Sequence, residues 1–285
     1  MLAERLWTAA RRFVPLSLLP LLAPAHRWRR RIQLRRQVVD DHRHLRAHPR
    51  LVVPPAELRY NIGARGTIPE FLDGGQRTVD DIEAALASIG RSLGQSREFL
   101  DFGCGCGRLA LALRARRPDL RITGCDVDAR AVRWCEQNLE WGRWVVNAPL
   151  PPLPFADRSF DLVWGGSVFT HLDADRQDRW LRELRRILTP DGILLASVHG
   201  SACWEPRLPS RAVAKLKREG MLYARHAAYA GIHPDWYQVA WHTEDYVKRH
   251  WASLLEIRGY LPRGLRGLGD DQDIIVAAPL RRGPD

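Results

Sequence analysis

An apolar segment that ends in an acidic residue and runs into closely spaced glycines is the most informative chemical pattern in this chain. In EFLDFGCGCGRLAL, Asp101 is followed by Gly103, Gly105 and Gly107, and helix-forming residues come next. Glycine has no Cβ, so a backbone with this spacing turns sharply and approaches a ligand closely. The pattern predicts a nucleoside cofactor at a strand-to-helix turn. Because Ala110 completes the spacing G-x-G-x-x-A, the glycines alone leave NAD as an alternative.

A second carboxylate follows at the distance that a nucleoside site needs. The segment ITGCD ends in Asp126, 19 residues after Gly107. A carboxylate at the end of the next strand can accept hydrogen bonds from both ribose hydroxyls. This role suits either cofactor, so the residue type does not separate them.

Strand and helix patterns alternate from residue 98 onward, and this alternation must bring the two carboxylates together. The strand patterns are REFLDF, LRITGCD, RWVVN, FDLVWG and GILLASVHG, and the intervening helix patterns are GRLALALRAR, DARAVRWCEQNLE and DRWLRELRRIL. The segments LLEIRGYL and DIIVAAPL predict a closing hairpin. We therefore expect an α/β fold with a doubly wound, mostly parallel seven-stranded sheet that binds its ligand at the strands' carboxyl ends.

A longer stretch resembles one family in the order and spacing of its parts. NAPLPPLPFADRSFDLVWGGSVFTHL, followed by WLRELRRILTPDGILLAS, is similar to the later motifs of class I S-adenosylmethionine-dependent methyltransferases, and the resemblance covers roughly residues 98–200. It implies a Rossmann-like methyltransferase fold with S-adenosylmethionine as cofactor. It also implies that Asp101, Gly103, Gly105 and Gly107 hold the amino-acid end of the cofactor, Asp126 the ribose, Val127 one adenine face and Asn147 the adenine edge.

The chain departs from the family pattern at two positions. Asn147 stands where the family often has Asp, and it lies about two residues farther from the LPF triplet than usual. Asp191 replaces a glycine in the turn before the fifth strand.

Methyl transfer to a hydroxyl needs a general base, because the proton must leave as the new bond forms. His171 in SVFTHL is the first candidate, and His199 and His242 follow. Each of the three histidines has a purely structural role as its alternative. No cluster of residues predicts a metal site.

Residues 201–250 interrupt the alternation and predict an inserted substrate cover with a helix near 211–225. Trp236, Tyr237 and Trp241 of this insertion either stack on a sugar ring or aromatic acceptor, or pack within the cover. Gln272 and Asp273 are further candidates to face the cleft. We therefore expect O-methylation of a hydroxyl on a saccharide or another small or cell-surface precursor.

The positive charge of the chain is concentrated at its start. The net charge is +11, and residues 1–50 contain twelve arginines and three acidic residues. We expect a basic, partly apolar arm over 1–50, a connector and helix over 51–97 with the helix near 78–93, and the methyltransferase domain over 98–285. Since the domain itself is near neutral, it does not favour a nucleic-acid cleft. Five cysteines without a paired spacing favour a reducing compartment, the cytoplasm.

The apolar segment 13–25 lies between arginines and contains Pro15, Pro20 and Pro24. It is too short to span a membrane, the prolines are expected to break a helix there, and a cleaved signal peptide is not expected. Through residues 1–36 the arm suits peripheral contact with the anionic inner face of a membrane. Packing on its own domain or on a partner subunit is an equal alternative.

Three further functions stay open at this point. The protein could methylate a nucleic acid or a protein, with the basic arm as a clamp. It could be an NAD-dependent oxidoreductase, because the glycines and Asp126 suit that cofactor as well. It could also be a non-catalytic module that keeps the fold to bind a partner.

Overall fold

A mixed sheet organises the molecule. The computed structural model describes residues 19–61, 67–225, 234–267 and 271–280, with side chains from residue 32 onward. Within these residues, seven strands form one sheet in the order β3-β2-β1-β4-β5-β9-β8. The first five strands are parallel, whereas β9 is antiparallel to both β5 and β8. The predicted doubly wound, mostly parallel sheet and its closing hairpin are confirmed.

The strands of the main sheet are β1 Glu98–Phe102, β2 Arg121–Asp126, β3 Arg143–Val146, β4 Phe160–Gly165, β5 Leu188–Val198, β8 Leu255–Leu265 and β9 Gln272–Pro279, and a separate pair is formed by β6 Met221–Ala224 and β7 Val239–His242. The helices are α1 Leu19–Ala47, α2 Ala56–Asn61, α3 Ile68–Ala87, α4 Arg108–Arg116, α5 Ala129–Asn138, α6 Ala174–Ile187, α7 Ser201–Trp204, α8 Ser210–Glu219 and α9 Glu244–His250.

Apolar side chains on the two faces of the sheet form two separate cores. In β1, Phe99 joins the core that contains α3, α4 and α5, while its neighbour Leu100 joins the core that contains α6 and α9. Alternate residues of a strand point to opposite faces, so a strand that is covered on both sides reads as a continuous apolar run. The helices therefore cover both faces and leave the carboxyl ends of the strands as the edge open to ligands.

Helix α3 begins ten residues before the predicted helix. Thr67 accepts a hydrogen bond from the backbone N–H of Glu70 and so caps the helix, and Pro69 lies in the first turn, where its missing N–H is not needed. Gly75 allows close packing, since a Cβ there would lie 2.7 Å from the carbonyl oxygen of Arg108 in α4. Sequence periodicity failed here because two glycines interrupt the apolar pattern.

The insertion after β5 is shorter than the predicted 201–250. Helices α7 and α8 and the β6–β7 pair enclose a small apolar cluster of their own, which contains Trp204, Leu216 and Trp241. Val247 of helix α9, and Trp251 just after that helix, instead pack into the core that contains α6. We therefore use the name cover for residues 201–242. The predicted helix near 211–225 ends at Glu219, and the chain continues as strand β6.

The arm contains one long helix, α1, and its last turns pack on the domain. Its helical backbone begins at Leu19 and continues through Pro20 and Pro24, so the expectation that prolines break the segment is wrong for residues 19–25. Pro20 lies in the first turn, where backbone N–H groups have no helical partner. Residues 13–18 of the predicted apolar segment lie outside the described residues. No described helix combines the length and apolarity that crossing a membrane requires.

A buried ion pair joins α1 to the domain. Both carboxylate oxygens of Asp41 accept hydrogen bonds from Nη2 of Arg59 at 2.7 Å, and Arg59 in α2 is 2% exposed. The preceding residue of the same helix, Asp40, pairs with Arg43 on the open surface. The two neighbouring aspartates therefore make the same type of contact at very different burial.

We expect Asp41→Ala to destabilise the docked helix by about 2–3 kcal/mol, because it removes the carboxylate partner of a buried guanidinium. Asp40→Ala is the matched control and should change stability by about 0.5 kcal/mol or less, since its pair is exposed. The measurement is hydrogen exchange of the backbone amides of residues 37–47. Equal effects of the two substitutions would contradict the assignment of Asp41 as the docking contact.

Candidate functional site

The glycine turn after β1 adopts the backbone conformation that its sequence indicates. Gly103, Gly105 and Gly107 have φ angles of +84°, +52° and +80°, the left-handed region that favours glycine. The N–H groups of Gly103 and Cys104 donate to the carbonyl oxygen of Cys125 at 2.8 and 3.0 Å. The turn is therefore fixed against the end of β2 before helix α4 begins.

Asp126 ends β2 and connects this strand to the glycine turn. Its Oδ2 accepts a hydrogen bond from the N–H of Gly105 at 2.8 Å, and its Oδ1 accepts one from the N–H of Asp128, also at 2.8 Å. Burial raises the pKa of Asp126, while these backbone N–H groups act to lower it. The carboxylate therefore lies where the turn brings backbone donors together.

Asp101 is a buried carboxyl whose charge is poorly compensated. Its side chain ends β1 and is 3% exposed, and within the described residues its Oδ2 has no hydrogen-bond partner. Burial and the nearby charge of Asp126 raise the pKa of Asp101 to about 7, against the opposing effect of Arg108. A buried oxygen of this kind is costly unless a cation or donor reaches it. The crevice thus favours a positively charged ligand.

Asn147, which is polar, and Val127, which is apolar, lie on the β3 side of the candidate cofactor site. Asn147 follows β3, and its backbone N–H donates to the carbonyl oxygen of Asp126 at 3.0 Å. Its Nδ2 donates to the carbonyl oxygen of Ala148, whereas its buried Oδ1 has no partner among the described residues. Val127 exposes 43% of its surface beside it. An acceptor oxygen next to an exposed apolar side chain suits the edge and face of a nucleobase.

A family model for a methyltransferase domain matches residues 100–196, which include both carboxylates and the glycine turn. This part of the chain belongs to the class I S-adenosylmethionine-dependent methyltransferases. The family's cofactor, S-adenosylmethionine, carries a sulfonium and an ammonium group, so its charge suits a site with a buried, poorly compensated carboxyl. The NAD-dependent alternative is removed by this assignment.

Relatives of this methyltransferase domain act on different acceptors, by their names. Demethylmenaquinone methyltransferase of Thermotoga maritima is 38% identical over 96 residues, which is 34% of this chain and 41% of that protein. Malonyl-[acyl-carrier protein] O-methyltransferase of Hahella chejuensis is 28% identical over 147 residues, 51% of this chain and 50% of that protein. The chain thus spans about half or less of the length of these relatives.

Solved structures support the same fold. The 1,6-didemethyltoxoflavin-N1-methyltransferase of Burkholderia thailandensis, solved with bound S-adenosylhomocysteine, has a TM-score of 0.51 to this chain. It is 17% identical, and the match covers 81% of this chain and 92% of that chain. At this level of identity the similarity shows the fold of the methyltransferase and not its acceptor.

Two of the predicted histidines lie together at the open edge of the sheet. The ring centroids of His171 and His199 are 6.4 Å apart and meet edge to face. His171 Nδ1 lies 2.8 Å from the carbonyl oxygen of Gln238, and His199 Nδ1 lies 3.0 Å from that of Ala240. A carbonyl only accepts, so each Nδ1 carries a proton, and the neutral form of each ring has its lone pair on Nε2. In that form each ring is able to accept a proton at Nε2; His171 is partly buried and His199 is 8% exposed.

His242 lies in a different environment, which corrects its placement among the accessible base candidates. The side chain is fully buried, and its Nε2 hydrogen-bonds with the side chain of Gln177. Burial lowers the pKa of His242 to about 3, with a smaller contribution from His199. The enclosed imidazole of His242 therefore reaches a methyl acceptor only if the residues around it rearrange.

The aromatic residues of the cover divide between the two expected roles. Trp241 packs into the cover's own apolar cluster. Tyr237 stacks on His171 at a centroid distance of 4.1 Å and an interplanar angle of 15°. Trp236 lies 5.9 Å from the guanidinium of Arg176 and is partly buried against the main core. Tyr237 therefore shares a surface with His171, and the ring centroid of Trp241 lies 6.5 Å from that of His199.

Sequence reasoning identified only some of the polar residues that hold this edge. Gln272 hydrogen-bonds with Ser167 and Ser197, and Asp273 accepts bonds from the hydroxyl of Tyr260 and the backbone of Arg263. Both were expected near the cleft. The buried Gln177 was missed, because no local pattern marks it and its contact with His242 lies 65 residues away.

We expect Asp126→Ala to weaken S-adenosylhomocysteine binding by about 1.5–3 kcal/mol, since the ribose hydroxyls would lose a charged acceptor. Isothermal titration calorimetry measures the dissociation constant. Asp119→Ala, an exposed aspartate before β2, is the control. An unchanged dissociation constant in the Asp126 variant would show that this carboxylate is not a cofactor ligand.

The raised pKa of Asp101 predicts a pH dependence of cofactor binding. Below pH 7 the carboxyl is protonated and neutral, and above pH 7 it is charged and attracts the cationic cofactor. We therefore expect affinity for S-adenosylmethionine to rise as pH increases from 6 to about 8. Asp101→Asn should bind more weakly and lose this dependence. A wild-type affinity that stays constant over this range would contradict the assignment.

Proposed function

We propose that this protein transfers the methyl group of S-adenosylmethionine to a hydroxyl of a small acceptor, with a saccharide as the acceptor class that the cover favours. In this proposal Asp101 and the three glycines of the turn contact the amino-acid end of the cofactor. Asp126 accepts from the ribose, and Val127 and Asn147 border the adenine. The observation that carries the choice of a hydroxyl is the orientation of His171.

When bound, S-adenosylmethionine would supply a methyl group from its sulfonium: the oxygen of the acceptor hydroxyl would form the new C–O bond as the S–CH3 bond breaks, and S-adenosylhomocysteine would leave. The proton of that hydroxyl then needs an acceptor, and Nε2 of His171 has the lone pair to receive it. As His171 becomes a cation, its Nδ1–H bond to the carbonyl of Gln238 strengthens and stabilises the charge. One of the relatives is an O-methyltransferase by name, so oxygen acceptors occur among the proteins similar to this chain.

The loop that contains His171 also contacts the glycine turn, which supports a single site for cofactor and acceptor. A Cβ placed on Gly103 would lie 2.5 Å from Cγ2 of Val168, three residues before His171. His199 is the second candidate for the base, with the same tautomer and the same partner segment. Tyr237, stacked on His171, offers an aromatic surface on which a sugar or phenol ring can pack.

We expect His171→Ala to lower kcat by about 100-fold or more, because the hydroxyl loses its proton acceptor. The dissociation constant for S-adenosylmethionine should stay within about twofold. His250→Ala is a matched control, since His250 is a partly buried histidine that pairs with Asp178 of α6. Full activity of the His171 variant would assign the residue a structural role.

The acceptor itself is tested by incubation of acceptor pools with S-adenosylmethionine carrying an isotopically labelled methyl group. Mass spectrometry then identifies the labelled product and the atom that received the methyl group. A labelled hydroxyl supports the proposal, and a saccharide product supports its finer part. A labelled nucleic acid or protein would favour the alternative acceptors, and cofactor binding without any product would indicate a non-catalytic module.

For the N-terminal arm, we propose peripheral contact with an anionic membrane surface at the cytoplasmic face. The proposal is supported by the arginines of residues 1–36 and by the exposure of Arg35 and Arg36 on α1. The Asp41–Arg59 contact holds the last turns of α1 on the domain. The basic segment therefore belongs to a helix whose other end is anchored.

Deletion of residues 1–31 tests the arm and leaves the Asp41–Arg59 contact in place. We expect the full chain to sediment with phosphatidylserine-containing vesicles and the shortened chain to stay in solution. Phosphatidylcholine vesicles are the control and should bind neither form. Equal sedimentation of both forms would reject the membrane contact. If deletion also abolished activity on a soluble acceptor, the arm would be a substrate clamp.

A further inference from the structure

The loop between β4 and α6 contains the proposed base, His171, and contacts the glycine turn. Each end of this loop is held by the buried side-chain amide of a different glutamine. At one end, Gln177 of α6 is fully buried. Its Nε2 donates to the carbonyl oxygens of Phe169 and Leu172, both at 3.0 Å. These two carbonyls lie on either side of His171, so one side chain fixes the short helical turn that presents the imidazole.

Gln177 also connects this turn to the cover. Both protons of its amide nitrogen are used by the two carbonyls, so its Oε1 accepts from Nε2–H of His242 at 3.2 Å. His242 lies in β7, and the carbonyls of Gln238 and Ala240 in the same segment hold His171 and His199. The turn and the segment that orients the imidazole therefore meet at one buried amide.

At the other end of the loop, Gln272 forms a closed ring with two serines. Ser197 donates to Oε1 of Gln272 at 2.7 Å, and Nε2 of Gln272 donates to Oγ of Ser167 at 2.6 Å. The backbone N–H of Ser167 completes the ring by donating to Oγ of Ser197 at 2.8 Å. Ser197 and Gln272 are 0% and 2% exposed.

This ring holds Ser167 in an unfavourable backbone conformation. Its φ angle is +57°, which residues other than glycine rarely adopt without compensating contacts. The next residue, Val168, has its side chain against the backbone of Gly103. The hydrogen-bonded ring therefore sets the position of the side chain that closes over the cofactor turn.

We propose that Gln177 and Gln272 are positioning residues with separate tasks. Gln177 sets the orientation of His171 on the acceptor side, and Gln272 sets Val168 against the glycine turn on the cofactor side. The first task rests on the proposed function, because it assumes that His171 is the base. The second task depends only on the cofactor site of the methyltransferase domain.

Substitution of each glutamine by methionine tests this division, since methionine has a similar volume and makes none of these hydrogen bonds. We expect Gln177→Met to lower kcat about tenfold and to leave the dissociation constant for S-adenosylmethionine within about twofold. Gln272→Met should weaken S-adenosylmethionine binding about tenfold and leave the tautomer of the His171 ring unchanged. Glu183→Gln, at another buried polar position of α6 that holds Leu153, is the control and should change neither quantity.

Nitrogen-15 NMR of the His171 ring supplies a readout that is independent of activity. In the wild-type protein we expect the neutral ring to be protonated at Nδ1, and in Gln177→Met we expect a mixture of both tautomers. In the double variant with His171→Ala, the Gln177 substitution should have no further effect on kcat, since it acts through the imidazole.

Two results would overturn the proposal. One is a wild-type His171 protonated at Nε2, which can be measured even if a variant fails to fold. The other is that both methionine variants change kcat and cofactor affinity alike, as general loss of packing would. If His171→Ala were fully active, the proposed base would be wrong. The His171 tautomer would still test the task of Gln177, and the affinity for S-adenosylmethionine would still test the task of Gln272.

Discussion

Burial of the Asp101 carboxyl beside the charge of Asp126 is the constraint on which this site depends. Asp101 lies next to the end of β1 and Asp126 ends β2, the strand that pairs with β1. Burial first, and the charge of Asp126 second, raise the pKa of Asp101. Asp126 is compensated by backbone N–H groups, but Asp101 keeps an oxygen without a partner among the described residues. In the proposed function, the charge of the bound cofactor would offset this cost, which the free protein bears.

The glycine turn is the structural counterpart of that electrostatic arrangement. Its left-handed backbone allows N–H groups to face Asp126 and Cys125, and side chains at these positions would collide with Val168 or Leu139. The same contact between Gly103 and Val168 links the cofactor turn to the loop that contains His171. Cofactor site and proposed acceptor site are therefore neighbours through direct packing.

The cover acts on this edge mainly through its backbone. Carbonyl oxygens of Gln238 and Ala240 accept from Nδ1 of His171, in the turn after β4, and of His199, just after β5. Trp241 packs into the cover's own cluster, and its ring centroid lies 6.5 Å from that of His199. The named relatives act on unlike acceptors, so the shared fold does not by itself identify the acceptor.

The sequence by itself determined the fold class, the strand ends that hold Asp101 and Asp126, and the cofactor family. These features follow from short-range patterns: apolar runs, glycine spacing and the order of motifs within about a hundred residues. Local patterns failed where glycines or prolines interrupt a helix, as in α3 and α1, because packing and position within the first turn decide their cost. Only the tertiary structure separated His171 and His199 from the enclosed His242 and revealed Gln177 and the Asp41–Arg59 pair. The contacts of His171 with Gln238, Gln177 with His242 and Asp41 with Arg59 join residues 67, 65 and 18 positions apart, and such distances leave no periodic signal in the chain.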